Sequence, residues 1–325
     1  MKTMEFKVWM RSVDCMSRGQ REKLRERLEG KVSIDTVVTL IEQSFSDIHS
    51  CPYCAGTALY RWGKSCNLQR YRCCHCKRTF NALTHTALSR LRHKDKWLNY
   101  EQALAQGLSL RKAAANCGIT KNTSFKWRHC FLRAPAIQQP NQMSGIVEAD
   151  ETYFLESFKG QRHLPGIPRK RGGKAAKRGT SAEQIPVLVV RDRHGETADF
   201  ILQGISAEQI GPALTPLLTK DVMLCTDGAP VYKQITKQAG FVHRPVNIAA
   251  GQRVLSGVYH IQNVNAYDSR LKQWMTRFHG VATRYLGSYL GWYRMIDRLG
   301  QRITPTVCLL SAIGKIRQFQ QVIAT

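Results

Sequence analysis

The stretch Ile146–Phe154 opens apolar and β-branched and then runs into Glu148, Asp150 and Glu151. Such a pattern reads as a strand whose alternate side chains leave the core and gather at one place. A carboxylate taken out of water without a partner is costly, so acids in mid-strand ordinarily meet a cation, most often a metal ion. A second acid, Asp227, closes the apolar run Asp221–Cys225 and is followed by Gly228. The chain must turn there and leave the carboxylate at a sheet edge. Taken alone, Asp227 is an ordinary Asp-Gly turn; its pairing with Asp150 gives it a chemical reading.

A different metal chemistry is written at Cys51-Pro-Tyr-Cys54 and Cys73-Cys-His-Cys76, two Cys-x-x-Cys knuckles separated by 18 residues. Four thiolates so spaced can fill the tetrahedral corners of a structural zinc site. Spacing selects Cys51, Cys54, Cys73 and Cys76, leaves Cys66 and Cys74 over, and makes His75 a decoration of the knuckle. The basic, strand-like segment between the knuckles suits a zinc ribbon, whether its role is structural or extends to touching DNA or protein.

The elements that must position these groups fall into segments. Residues 1–50 give two short amphipathic helical patterns, one after Ser17 and one over Ile34–Phe45, and 51–80 form the ribbon. In 81–134, Ser109 caps a helix over Leu110–Cys117, Gly118 turns the chain, and a second helix runs over Lys121–Phe131. This reads as a helix-turn-helix presenting Asn122, Ser124 and Lys126 to a major groove, against a plain helical hairpin with solvated charges. Residues Ala134–Ser144 look like a linker. The segment 145–300 alternates strands and helices: after the acidic strand come strands Ile185–Val190 and Thr197–Leu202 and a helix opened by Ser206. The Asp221–Cys225 strand, a helix Ala229–Ala239, a strand Phe241–Val246 and helical stretches Asn263–Phe278 and Val281–Leu299 follow. That order predicts an α/β, ribonuclease-H-like (integrase-type) catalytic core preceded by a zinc ribbon and a helix-turn-helix. Its chemistry needs an acid in the middle of the first strand and another just past the fourth, with a third ligand on the helix after the last strand. Residues 301–325 are a C-terminal helix.

With 49 Lys and Arg against 23 Asp and Glu, the net charge is +26. Charge of that size points to nucleic acid or an anionic membrane surface. The sequence has no spanning apolar run and no basic amphipathic helix, and Met1–Met16 lacks a signal-peptide core, so DNA is the expected partner and a cytoplasmic, nucleoid-associated location is expected. In that compartment 11 cysteines argue against disulfides. Eight Lys and Arg between Lys159 and Arg178 form a loop expected to contact phosphates. The stripe Trp274, Phe278, Tyr285, Tyr289 and Trp292 recurs at helical spacing and is read as core.

The ribbon cysteines, Val147-Glu-Ala-Asp150-Glu-Thr-Tyr153, Thr226-Asp227-Gly228 with Tyr232, His260-Ile-Gln-Asn-Val-Asn265 through Leu271-Lys272, and the aromatic helix from Tyr285 together resemble a family. It is the DDE-type insertion-sequence transposases, in the zinc-ribbon-bearing branch. The resemblance covers most of 51–298 and implies Mg²⁺-dependent DNA cleavage and strand transfer at terminal inverted repeats, with transposon ends and target DNA as partners and a homo-oligomer assembled on DNA. It puts two Mg²⁺ ions on Asp150 and Asp227, and Asn265 where the family usually has its third acid. Lys272, two turns on, is the basic partner that holds a substrate phosphate. An amide oxygen can ligate magnesium but brings no charge, so Asp268 one turn on, or Glu148 or Glu151, are alternative contributors. His260 is read either as orienting the leaving strand or as structural. Two other classes fit the same motifs: an inactive DNA-binding regulator, and a structure-selective nuclease that cuts without joining.

Overall fold

The computed structural model describes residues 3–45, 50–164, 172–173, 175, 181, 183–247 and 250–315. They form two compact units, Met1–Phe131 with Ile303–Thr325, and Leu132–Arg302. In the first, helix α1 (Thr3–Asp14) precedes α2 (Arg18–Gln43), a single 26-residue helix where two short ones are expected. A capping box starts it: Ser17 Oγ accepts from the Gln20 amide at 3.3 Å, and Gln20 Oε1 accepts from the Ser17 amide at 2.8 Å. The glycine at position 30 falls within the span, since one such residue costs a helix only about 1 kcal/mol. Strands β1 (Leu59–Ser65), β2 (Leu68–Cys73) and β3 (Thr79–Asn81) make an antiparallel ribbon. Cys66 and Asn67, both at positive φ, form the two-residue turn between the first two strands.

Helices α3 (Trp97–Ala105), α4 (Leu110–Asn116) and α5 (Lys121–Phe131) follow. Trp97, Tyr100, Trp127 and Phe131 pack edge-on or tilted in their shared core. The turn after α4 passes through Gly118 at φ +57°. Two polar residues of α5 lie elsewhere than expected. Ser124 is fully buried, its hydroxyl donating to the Leu110 carbonyl at 3.1 Å, so it cannot face a groove. Arg128 is also buried and donates to the Leu108 carbonyl at 2.6 Å. Lys121, Asn122, Phe125 and Lys126 are the exposed positions of α5.

The second unit starts with α6 (Arg133–Ile137), a short helix where a linker is expected. Strands β4 (Ile146–Leu155), β5 (Gln184–Asp192), β6 (Thr197–Ile201), β7 (Met223–Thr226) and β8 (Val242–Pro245) build one sheet in the order β6-β5-β4-β7-β8. The first three strands pair antiparallel, and β4, β7 and β8 run parallel. Helix α7 (Ala207–Leu214) precedes β7, α8 (Pro230–Ala239) joins β7 to β8, and α9 (Gln262–Thr276) and α10 (Leu286–Leu299) come last. Val147, Ala149, Leu188 and Val190 point from one sheet face into a core with Ile210 and Leu214 of α7 and Tyr232 and Ile235 of α8. Strand alternation then sends Glu148 and Asp150 to the opposite face, where α9 packs. Four members of the aromatic stripe are core, as read from their spacing: Trp274, Phe278, Tyr289 and Trp292 are buried and their rings meet within 4.8–6.4 Å, whereas Tyr285 is only half-buried.

Helix α11 (Pro305–Ala312) lies in the first unit and packs on α3. Within the second unit, α6 and α10 approach so closely at Gly291 that a Cβ there would sit 2.5 Å from the Pro135 carbonyl oxygen and 2.6 Å from Ala136 Cα. Backbone cannot yield as a side-chain tip can. Gly291→Ala is expected to destabilise the second unit by about 1–3 kcal/mol through overpacking, measured as a lowered urea midpoint.

Candidate active site and cysteine cluster

Asp150 sits in β4 and Asp227 just past the end of β7, the parallel neighbour of β4. Asp227 is exposed, and its Oδ1 accepts from the Ala229 amide at 3.0 Å. Gly228 takes φ +86°, which makes the turn that leaves the carboxylate at the sheet edge. Burial lifts the Asp150 carboxyl to about 6; the Glu151 amide donating to it at 2.9 Å and the Lys272 charge oppose the rise, and Asp227 adds to it. The two acids therefore share one electrostatic neighbourhood.

Asn265 and Lys272, seven residues apart on α9, lie on one exposed helical face. Asp268, between them in sequence, is buried, and its Oδ1 has no hydrogen-bond partner among the described residues. Burial raises its carboxyl to about 8, the Asp150 charge adds to the rise, and Lys272 opposes it. Beside Lys272 lies a cavity of about 620 Å³, lined also by Tyr153, Phe154, Met275, Thr276 and His279.

The other two acids of the strand have different partners. Glu151 points to the α8 side, where the Tyr232 hydroxyl donates to its Oε1. Burial brings its carboxyl to about 7, against the Tyr232 hydrogen bond. Glu148 is completely buried, and its Oε2 accepts from the amides of Asn263 at 2.8 Å and Val264 at 3.0 Å. These are unpaired donors of the first turn of α9, whose own cap position is the apolar Ile261. Its Oε1 lies 3.2 Å from Arg193 Nη2 and 3.4 Å from His260 Nδ1, in ion-pair rather than hydrogen-bond geometry. Arg193 Nη1 is 2.7 Å from His260 Nε2. His260 thus belongs to the polar cluster under α9, the structural one of its two readings. Arg193 carried no sequence signal, because it sits in a turn and reaches its partners only through the fold.

Of the basic loop, Lys159 has a structural partner: its ammonium donates to the carbonyls of Phe278, His279 and Gly280 at 3.3, 3.1 and 2.8 Å. It is held at the chain reversal after α9 and is not presented to phosphate. Arg169, Lys170, Arg171, Lys174, Lys177 and Arg178 lie outside the described residues.

In the first unit, Cys51, Cys54, Cys73 and Cys76 bring their sulfurs within 4.8 Å of one another, with two pairs at 3.6 Å. A zinc tetrahedron with Zn–S bonds of about 2.3 Å has edges of roughly 3.8 Å, so the cluster is compatible with zinc. The Cys76 amide, against burial and joined by the His75 amide at 3.3 Å, brings the Cys73 thiol down to about 7, while, against the Gly56 amide, burial and the neighbouring thiols hold Cys54 up at about 11. Cys66 and Cys74 are exposed and outside the cluster, and His75 contributes only its backbone.

An antiparallel meander extended by two parallel strands, with an acid on the first strand and another past the fourth, is a ribonuclease-H-like arrangement. Residues 142–293, a little under half of the chain, match the family model of the ISXO2-like transposase domain. A Halobacterium salinarum protein described as "Uncharacterized protein in transposable element ISH50" is 29% identical over 245 residues, 74% of this chain and 82% of that one. Two solved structures, a pre-cleavage Mos1 transpososome and a Mos1 transposase paired-end complex with left transposon end, are 11% and 13% identical. Each comparison covers 65% of this chain and 77% of the other, at TM-scores of 0.21 and 0.20. Among the described residues no helix is long and apolar enough to cross a membrane.

Glu148→Ala removes the acceptor of two helix amides and leaves Arg193 facing a void. The expected loss is about 3–5 kcal/mol of unfolding free energy in urea. Glu148→Gln, which keeps an acceptor oxygen, is expected to cost less.

Proposed function

We propose that this chain is the transposase that binds the terminal inverted repeats of an insertion sequence and catalyses metal-dependent DNA cleavage and strand transfer. The observation that carries the reading is the approach, on a ribonuclease-H-like sheet, of Asp150 and the exposed Asp227, with Asn265 and Lys272 on one face of the helix packed against that strand. The donor set is all hard oxygen, which suits Mg²⁺, and Asp150 and Asp268 are carboxyls whose anionic forms are disfavoured until a cation is near. Asp150 and Asp227 would hold two such ions, with the Asn265 amide completing one shell. Bound there, Mg²⁺ supplies activation of water and then of the 3′-hydroxyl, and stabilises the leaving oxygen of an in-line displacement. Lys272 holds a substrate phosphate at the rim of the cavity. Asp268 is the second reading for the third ligand, favoured by its unpartnered Oδ1. Asn265 is preferred because metals that must meet DNA need the exposed face.

DNA is the partner, on the strength of the +26 charge. Helices α4 and α5 act as a helix-turn-helix, with Asn122, Phe125 and Lys126 as the outward residues of the second helix. Synapsis of two ends makes the working form a homo-oligomer on DNA. The cysteine cluster holds structural Zn²⁺. Zinc removal by a chelator, or Cys73→Ser, is expected to unfold the ribbon, since such sites supply the folding free energy of small modules. Metal content and circular dichroism measure this, and unchanged spectra after complete removal would sink the structural assignment.

The deciding experiment is strand transfer of a short duplex carrying the element's own end, with Mg²⁺. Native protein is expected to join it to target, and Asp150→Ala, Asp227→Ala and Asn265→Ala to lose product by several hundredfold or more, as expected when the ions that activate the nucleophile and stabilise the leaving oxygen are no longer held. Retained joining by Asn265→Ala with loss in Asp268→Ala moves the third ligand to Asp268. Binding without any product makes the chain a regulator, and cutting without joining makes it a nuclease.

A further inference from the structure

We propose that the outer face of the ribbon sheet is a second DNA-binding site, one that takes unpaired nucleotides on Tyr60, Trp62, Arg70 and Arg72. The cross-strand register sets Tyr60 opposite Arg72 and Arg72 opposite Thr79, so these share one face, and Arg70 joins them by strand alternation. The ladder is irregular between Arg61 and Lys64, and Trp62 lies in that irregularity. There the Arg72 guanidinium stands 4.7 Å from the centre of the Trp62 ring, and Tyr60 meets the same ring edge-on at 5.7 Å. The opposite face of the sheet holds Leu59, Tyr71 and Phe80, which pack on Cys51 and Cys73. The ribbon's own core therefore makes no use of Trp62 or Tyr60, which stay 44% and 39% exposed.

Single exposed apolar residues need no explanation. This pair differs because the surroundings carry one sign of charge. From Ile48 to Lys94 the chain has no Asp or Glu and nine Lys and Arg. Glu42 of α2, whose carboxylate reaches the ribbon, is taken by the Gln69 amide at 2.8 Å. An acid-free basic face with two aromatic rings and a stacked guanidinium matches a polyanion that also offers flat π-surfaces. Duplex DNA hides those surfaces inside its stack, so the complementary ligand is a stretch of unpaired bases, with Arg70 and Arg72 on its phosphates. The inference does not rest on the catalytic reading, because it concerns binding in the absence of Mg²⁺.

The test is fluorescence anisotropy of the full-length, zinc-loaded protein with a labelled dT15 oligonucleotide and, separately, a labelled 15-base-pair duplex, without Mg²⁺. Native protein is expected to bind dT15, Trp62→Ala to weaken it about tenfold or more, and Trp62→Phe to stay within about threefold of native, because a ring remains to stack. Arg72→Gln is expected to lower the salt dependence of dT15 binding by about one phosphate contact. If Trp62→Ala sheds zinc, Tyr60→Ala combined with Arg72→Gln is judged by the same tenfold criterion. Native protein that ignores dT15, variants that bind it as native does, or a loss confined to the duplex each overturn the proposal; unchanged binding by every variant leaves a protein-facing surface. A chain that binds dT15 through Trp62 yet joins no DNA refutes the catalytic reading and leaves this one standing.

Discussion

The second unit depends on the way Glu148 ends the isolation of helix α9. That helix starts at an apolar residue, Ile261, which offers no side-chain cap. Its first amides are aimed into protein, where unpaired N–H groups are costly. A buried carboxylate from the neighbouring strand receives two of them, and the positive end of the helix favours its negative charge. Arg193 and His260 then share the carboxylate's second oxygen. Because Glu148 precedes Asp150 by one strand repeat, the bond that fixes α9 is also a fixed step from the candidate metal ligand. Asn265 and Lys272 inherit their register from it.

Charge in this unit is sorted by the same logic. Asp199 is held by Arg294, which also ties down the Pro135 and Gln138 carbonyls. Asp297 takes Arg191 and Arg270, and Glu196 takes Arg298. Among the described residues, Lys272 is the cation set against the burial of Asp150 and Asp268, with the Glu151 amide also favouring the Asp150 carboxylate and the Asp150 charge adding to the rise at Asp268. In a chain with twice as many cations as acids, carboxyls in that condition are where the proposed cation site is sought.

The strand order, the cysteine pairs and the aromatic core were legible because each is written in local periodicity or spacing. Asp150 and Asp227 were legible because an acid in an apolar strand and an acid before a turning glycine break a pattern. The partners of cations were not. Arg128 and Lys159 look in the sequence like any other member of a basic run, yet one is buried against the Leu108 carbonyl and the other gathers three carbonyls after α9. Ser124 was read one position off the outward face, for two reasons: the helix phase is set by Trp127 and Phe131, and the serine's hydroxyl has backbone to bind. Glu148 had a visible signal, its one-repeat spacing from Asp150, but its role depends on where α9 begins in space. The segment read as a linker holds α6 because α10 offers it a glycine seat at Gly291.

Helix α11 is separated from α3, on which it packs, by the whole of the second unit. Helix α3 buries Trp97, Tyr100, Glu101, Ala103 and Leu104 in the finished molecule, and α11, one of the elements packed on it, is encoded after residue 302. During synthesis the ribosome must therefore deliver the second unit before the amino-terminal unit can close. A polypeptide interrupted anywhere in between would carry its cysteine cluster and α5 on an uncovered apolar helix, a form prone to aggregate or to be degraded. Closure of the first unit is in this way coupled to translation of its second segment, from Ile303 onward.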